Sequence, residues 1–452
     1  MTSIKSGARR LHIAILAALA LCPAAGAETL TYGVDVGIGE TDNVTLVPTD
    51  KVSQTIAVTD LDFAVKQQTR LLDLAATGNF SYLDYLQNAY GTQLIGRFDG
   101  TAHVSLIPER LTWVVQDDFG QSALDPFTPT TPANLENVNY LSTGPDLALR
   151  LGGTGFVNFS ARAARAQYET SPFNSNRLLG NLAAGLQLTA NSSVSLNGDT
   201  ERVMFTNTVV NTDFDRTNAF VRYQVQGART DLSADLGATT ISQGGASTSG
   251  GLGRVQLSRK VSTAATLTLS AGRVLTDAST SFSNLQSGAT GVVGTAPAAQ
   301  TSNSYTSNYA TAEWQYKHNR TTIAVSGRWE KDVYGGEPAL DYTRGGVELR
   351  VERILTHALS AQLVGHFYKT NYENVVVTGA NGSSDYNDGS IGAALAWRHG
   401  RGLEVRLRCE HSSRVATGFE NGYSENRAYL TVGYRPSPTQ PSVVQPDEAP
   451  GA

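Results

Sequence analysis

The chain has 452 residues, a formal net charge of −5 and 40% hydrophobic residues, with a mean hydropathy of −0.21. That composition excludes a bundle of transmembrane helices, and the acidic balance excludes nucleic acid as a partner. A membrane β-barrel stays open, because only every second strand residue must be apolar, and the 44 glycines beside 2 methionines favour strands and turns over helices.

Residues 1–27 read as an export signal. Lys5, Arg9 and Arg10 form its basic end, Leu11 to Leu21 its apolar core, and Ala25-Gly26-Ala27 a small-x-small cleavage site. Removing those three cations leaves a mature chain three charges more negative than −5. Cys22 leaves with the signal, so Cys409 has no partner for a disulfide and no Cys-based metal cluster is expected.

The first mature segment sets a pattern of period two. Leu30, Tyr32, Val34, Val36 and Ile38 alternate with Thr31, Gly33, Asp35, Gly37 and Gly39. One face is apolar and the other small or polar. The pattern returns at 72–80, 97–106, 265–271, 323–330 and 403–410. It blurs over 40–70 and 203–230, where residues 52–58 fall out of phase with Leu61, Phe63 and Val65.

Short turns are expected near 67–70, 107–110, 151–155, 189–192, 227–230, 260–263, 318–320, 354–357 and 399–402. Longer polar stretches fall between them, at 40–51, 84–91, 120–137, 169–175, 203–213, 240–250, 276–304, 331–340, 372–385 and 412–424. Strict alternation of short and long connections is the asymmetry of an outer-membrane barrel, with periplasmic turns and extracellular loops. The expected fold is therefore all-β: a single transmembrane antiparallel β-barrel of about 20 strands (roughly 18–22) over residues 28–435.

Trp113, Trp314, Tyr316 and Trp397 lie beside short turns, while Phe80, Tyr82 and Trp329 lie towards long loops. Two aromatic girdles are expected at those two levels. The last strand alternates Ala428, Leu430, Val432 and Tyr434 with Tyr429, Thr431 and Gly433. Residues 436–452 carry Pro436, Pro438, Pro441, Pro446 and Pro450, which forbid a ladder and predict a disordered periplasmic tail.

Trp113, Asp117-Asp118-Phe119-Gly120-Gln121, Asp125-Pro126, Thr131-Pro132-Ala133-Asn134, Asn137-Val138-Asn139 and Ser142-Thr143-Gly144-Pro145-Asp146 form a distinctive stretch, with Glu40-Thr41-Asp42-Asn43 before it. Together they resemble the outer-membrane β-barrel family associated with PEP-CTERM/exosortase systems, a β-barrel porin type found beside exopolysaccharide-export genes. The resemblance runs over the whole mature chain, with its distinctive residues in 113–146. It implies an outer-membrane address and a role with surface polysaccharide, and it brings no catalytic residues.

Within that stretch Asp117, Asp118, Asp125, Asn134 and Asn137 are candidates for a loop that folds inward as a constriction, stiffened by Pro126, Pro129 and Pro132. A surface lid is the alternative. Alternation places Asp35, Asp62, Asp73, Arg97, Asp99, His103, Glu348, Arg350, Glu404, Arg406, Arg408 and Glu410 as candidate lumen-lining residues. The early wall is mainly acidic and the late wall mixes both signs. Such rows orient polar solutes, brace the barrel by pairing across strands, or both.

No nucleophile elbow, zinc-helix motif or phosphate loop occurs. Asp117, Asp118 and Asp125 offer oxygens to calcium without a cation-loop spacing. His411, near Ser412 and Ser413 by the outer interface, carries the one remote enzyme alternative, an outer-membrane lipid hydrolase. No enzyme activity, cofactor or metal is therefore expected. The function expected is a passive channel or secretion conduit, for exopolysaccharide or other polar solutes. The alternative is a plugged barrel with a structural or interaction role in the envelope. Expected partners are outer-membrane lipids and lipopolysaccharide, the barrel-assembly machinery and a periplasmic polysaccharide-export component.

Overall fold

Alternation at period two gives each strand one face for lipid and one for the interior, and a sheet built that way is stable in a membrane only if it closes. The structure is a computed structural model and describes residues 27–286, 301–373, 385–400, 402–416 and 422–436. The expected signal core and nearly all of the Pro-rich tail lie outside the described residues, as do parts of three long connections.

The strands are β1 (Ala27–Thr41), β2 (Gln54–Gln68), β3 (Leu72–Tyr85), β4 (Gln93–Ile107), β5 (Leu111–Ala123), β6 (Leu135–Leu151) and β7 (Gly155–Tyr168). There follow β8 (Ser175–Thr189), β9 (Ser192–Phe205), β10 (Phe214–Gln226), β11 (Thr230–Gln243), β12 (Ala246–Lys260), β13 (Ala265–Thr276) and β14 (Tyr305–His318). The remainder are β15 (Thr321–Tyr334), β16 (Tyr342–Ile354), β17 (Leu359–Tyr372), β18 (Tyr386–His399), β19 (Leu403–Ala416) and β20 (Tyr423–Tyr434). Among the described residues one α-helix, α1 (Ala278–Gln286), stands between β13 and β14. Each strand pairs antiparallel with its sequence neighbours. β1 also pairs with β20, from Val34↔Tyr434 to Thr41↔Arg427, which closes a 20-stranded barrel.

The two faces differ as alternation requires. On β1, Val36 is 54% exposed and Ile38 49%, whereas Asp35 between its apolar neighbours is 3% exposed. Trp113, Trp314 and Trp397 point outward near the turn end, and Tyr82 and Trp329 point outward nearer the loop end. Phe80 also faces outward but is buried, because Phe63 and Phe119 pack around it with ring centroids 6.4 and 6.0 Å away.

One expectation of the connections is corrected. Residues 240–250 form no long loop: β11 and β12 run on to a two-residue hairpin at Gly244-Gly245. Their φ values of 59° and 83° lie in the left-handed region that such a turn demands. Polar Ser and Thr at the tips of both strands imitate a loop composition. Ala at Gly245 is expected to lower barrel stability by about 1 kcal/mol, because a Cβ there is strained. A urea titration of refolded protein checks this, and an unchanged midpoint would contradict it.

Residues 52–58 are out of phase with Leu61, Phe63 and Val65, as the alternation indicates, and the register explains it. β2 pairs with β1 without interruption from Thr41↔Gln54 to Ala27↔Gln68. Ile56 and Val58 lie on the inner face with Leu83 and Tyr85, and Val44 from the β1–β2 loop packs on them. The loop has brought its own apolar cover into the lumen, so the inner face there is apolar.

Candidate functional site

The register places all twelve candidate lumen residues on inward positions, and they gather into different groups. At the turn end a clasp forms across the closing seam. Arg435, one residue beyond β20, folds back to pair with Asp35 of β1 and with Asp62 of β2 at 2.8 Å, and its Nε lies 3.5 Å from Glu404 of β19. Glu404, 1% exposed, also accepts from Arg398 at 2.6 Å and from Arg406. One cation thus joins the first two strands to the last two. Gly433 faces Asp35 across the seam, and a Cβ there would occupy the space of the carboxylate.

In mid-wall, Arg408 stacks over the Tyr429 ring at 4.8 Å and Glu410 pairs with Arg427 at 3.4 Å. Glu348 accepts a hydrogen bond from the Tyr368 hydroxyl, and Arg350 stands two residues along the same face. Asp73 lies opposite His103 on the wall of β3 and β4, where Arg97 lies opposite Asn79. Asp99 lies directly opposite Asp118. Among the described residues Asp99 Oδ2 and Asp118 Oδ1 are buried without a hydrogen-bond partner.

The five residues expected in a constriction loop separate. Asp125 and Asn134 brace the loop itself: the Asp125 N–H donates to Asn134 Oδ1 at 2.8 Å, and Asn134 Nδ2 donates to the Asp125 carbonyl at 2.9 Å. Asp118 points inward from β5. Asp117 and Asn137 do not belong to the constriction. They sit on the outward face, where Asp117 accepts from Asn139 at 2.8 Å and Asn137 Oδ1 accepts from Gln121 at 2.7 Å. Adjacent strand residues point to opposite faces, so Asp117 and Asp118 cannot share a site. The same divergence removes a calcium site built on Asp117, Asp118 and Asp125.

The loop from 124 to 134 does cross the barrel mouth. Phe127 packs on Tyr372 of β17 at 4.9 Å, and the Tyr372 hydroxyl donates to the Pro126 carbonyl at 3.3 Å. Gln93 Nε2 on β4 donates to the Pro132 carbonyl at 2.9 Å.

A second bridge is α1. Asp277 caps it, accepting from the Ser279 N–H at 3.2 Å and the Thr280 hydroxyl at 2.6 Å. Arg177 of β8, fully buried, holds Asp277 at 2.5 Å and Glu201 of β9 at 3.0 Å. Arg216 of β10 pairs with Glu201 and donates to the Leu275 carbonyl at 3.1 Å. Burial pushes the Asp277 carboxyl upward, but the Arg177 and Arg216 guanidiniums outweigh it and hold it well below the usual carboxylate range. Along the helix, Ser279 bonds Tyr168 of β7 at 2.7 Å, Ser281 bonds Tyr305 of β14 at 2.6 Å, and Ser283 donates to Asp118 at 2.6 Å. Phe282 is buried among Val138, Tyr140, Ala166 and Tyr168. Strands β5 and β14 lie nearly half-way round the barrel from each other, so α1 spans the lumen near its loop end.

Sequence reasoning missed this anchor. Arg177, Glu201 and Arg216 lie on three strands, and only the sheet register brings them together. Asp277-Ala278-Ser279-Thr280 was a legible helix-start signal. His411 faces outward with Nδ1 2.8 Å from Asn426 Oδ1, whereas Ser412 faces inward, 3.5 Å from Glu425. Those two side chains do not meet.

No family model matches the chain, and no curated protein matches it. Solved structures with a similar barrel include a point mutant of the ferric enterobactin receptor PfeA of Pseudomonas aeruginosa. That match has 10% identity and a TM-score of 0.45, covering 92% of this chain and 81% of that one. The FrpB iron transporter of Neisseria meningitidis matches at 10% identity and a TM-score of 0.45, covering 90% and 82%. The copper transporter OprC matches at 13% identity and a TM-score of 0.41, covering 90% and 80%.

Proposed function

We propose that this closed barrel is an outer-membrane conduit for polar solutes, that its cargo is a surface polysaccharide, and that its own inward segments narrow it at rest. The observation that carries the reading is the inner wall. It is lined with charged side chains from the seam clasp to the loop end, and about 20 strands enclose more space than their own side chains fill. A passive path of this kind needs neither a cofactor nor a nucleotide. The resemblance to barrels found beside exopolysaccharide-export genes supports the choice of cargo, and a periplasmic export component is then the expected partner, with lipopolysaccharide around the outer rim.

The second reading is a closed barrel that serves as a structural or docking protein of the envelope. It is favoured by α1 and the 124–134 loop, which both reach the far wall. Single-channel conductance of the refolded mature protein in a planar bilayer separates the two. The conduit predicts steady openings whose ion preference shifts towards cations when Arg406 and Arg408 are neutralised. A folded, inserted barrel that never conducts would sink it in favour of the docking role.

A further inference from the structure

The two ladders of β12 are unequal. β12 pairs with β11 up to the hairpin, at Gln243↔Ala246, but with β13 only as far as Gly253↔Arg273. Among the described residues, Ala246 to Leu252 therefore have a partner strand on one side alone. Ala246, Ser247, Thr248, Ser249 and Gly251 are exposed. A closed barrel normally has no edge, and this stretch carries no Lys or Pro to blunt one. β13 itself runs on to Thr276 and stays paired with β14, so its tip has parted from β12 only. That tip lies inside the wall. Leu275 shares the outward parity of Leu269, yet it packs on the inward cluster of Val203, Phe205, Phe214 and Ile241. Its carbonyl accepts from Arg216 of β10, three strands away in the sheet. Three strand spacings are about 14 Å, beyond the reach of an arginine side chain along an unbroken wall. The β11–β12 hairpin thus laps over the outside of the β13 tip.

We propose that the tip of β13 is a switch with two exclusive seats, the lumen seat described above and the edge of β12. Continuing the existing register by three pairs sets Leu252 opposite Val274, Gly251 opposite Leu275 and Gly250 opposite Thr276. The parity already agrees, with Leu252 and Val274 both inward and Gly251 and Leu275 both outward. The edge is also open to a neighbour: a Cβ at Gly251 would meet nothing within 4 Å, and one at Gly250 only Thr239, at 3.9 Å. The β12 seat offers ladder hydrogen bonds to backbone groups that lack them. The lumen seat offers the Arg216 bond, the apolar contact of Leu275 and the Arg177–Asp277 pair. One tip cannot hold both. Asp277 follows Thr276 directly, and a Thr276 seated on β12 stands in the wall five strand spacings from β8, about 24 Å from Arg177. Seating the tip on β12 therefore draws α1 off its anchor. Two discrete packings of one element are what a switch requires. The switch stands without the conduit reading, which adds only that solute then passes more freely.

The test is disulfide trapping in the refolded mature barrel, in a Cys409→Ser background so that the native thiol does not compete. The pair Gly250→Cys/Thr276→Cys meets only when the tip sits on β12. The pair Ser258→Cys/Thr268→Cys lies opposite in either seat and is the control. Adding Arg177→Ala is expected to speed oxidation of the first pair several-fold and leave the control unchanged. Asp277→Asn, which keeps Arg177 paired with Glu201, is expected to do the same, so the test survives if the alanine variant fails to fold. A first pair that oxidises no faster in the released barrels than in the parent would overturn the switch, whether or not the amides of α1 exchange freely. An equal rise in both pairs would overturn it too, because it would report a general loosening of the wall. The trapped barrel is expected to conduct several-fold more than its reduced form. Trapping without that gain would remove the conduit reading and keep the switch.

Discussion

Replacing Arg177 with alanine is expected to release α1 from the wall and raise single-channel conductance several-fold. Arg177 is fully buried and holds Asp277 and Glu201 together. Its loss leaves two carboxylates facing each other with a counter-charge removed, which costs about 3–5 kcal/mol for a buried pair broken on one side. The easiest relief is for Asp277 to swing into lumen water, and α1 goes with it because Asp277 is its cap. Amide hydrogen exchange over residues 278–286 should then rise, with the strands still protected. An α1 that stays protected in the variant, with unchanged conductance, would refute the latch.

The same anchor has a pH signature. The Asp277 carboxyl is held below its ordinary range, so its contribution is complete above the unfolded aspartate value and is lost as pH falls through the lowered folded value. In the wild type, α1 should stay protected across the neutral and mildly acid range and loosen only in strong acid, below the range where ordinary aspartates titrate. Opening at mildly acid pH would show that another group controls the helix.

Replacing Arg435 with alanine is expected to weaken the closing seam by about 3 kcal/mol, the cost of stranding a buried charge. Asp35, Asp62 and Glu404 would lose the cation they share across β1, β2 and β19. The loss should appear as a lower urea midpoint and as partial loss of the compact gel form without heating. Lysine at the same position should restore part of the stability, because it returns the charge but not the forked geometry that reaches several carboxylates at once. A midpoint unchanged by Arg435→Ala would mean that the backbone ladder between β1 and β20 closes the barrel by itself.

These two anchors lie at opposite ends of the lumen and act differently. The clasp joins the first strands to the last, and the α1 anchor ties a helix within the lumen to the wall. Both use arginine against more than one carboxylate, which suits a planar group with several donors.

Much of the barrel is legible residue by residue. Leu30 to Ile38 announce an outward face, and the short turns near 107–110, 189–192 and 399–402 fall where strands end. The departures share one cause, which is that local composition does not report what a side chain meets. Gly244-Gly245 reads as part of a long loop because Ser and Thr serve equally well on a strand tip and in a loop. Residues 52–58 look out of phase because periodicity assumes that the inner face meets water, and there it meets Val44. Asp117 and Asn137 have the composition of a loop, although their own alternation with Asp118 and Val138 puts them on the outer wall.

The all-β architecture, the outward apolar face, the sequence of turns and loops and the inward rank of candidate charges can all be read from the order of residues. Those properties depend on a backbone period of two and on neighbours within one strand. Which inward charges meet, the crossing of the lumen by α1 and the 124–134 loop, and the hold of Arg435 on the seam emerge from the folded barrel. Those contacts join residues from strands far apart in the chain. Their existence depends on closure and register, which no local pattern encodes.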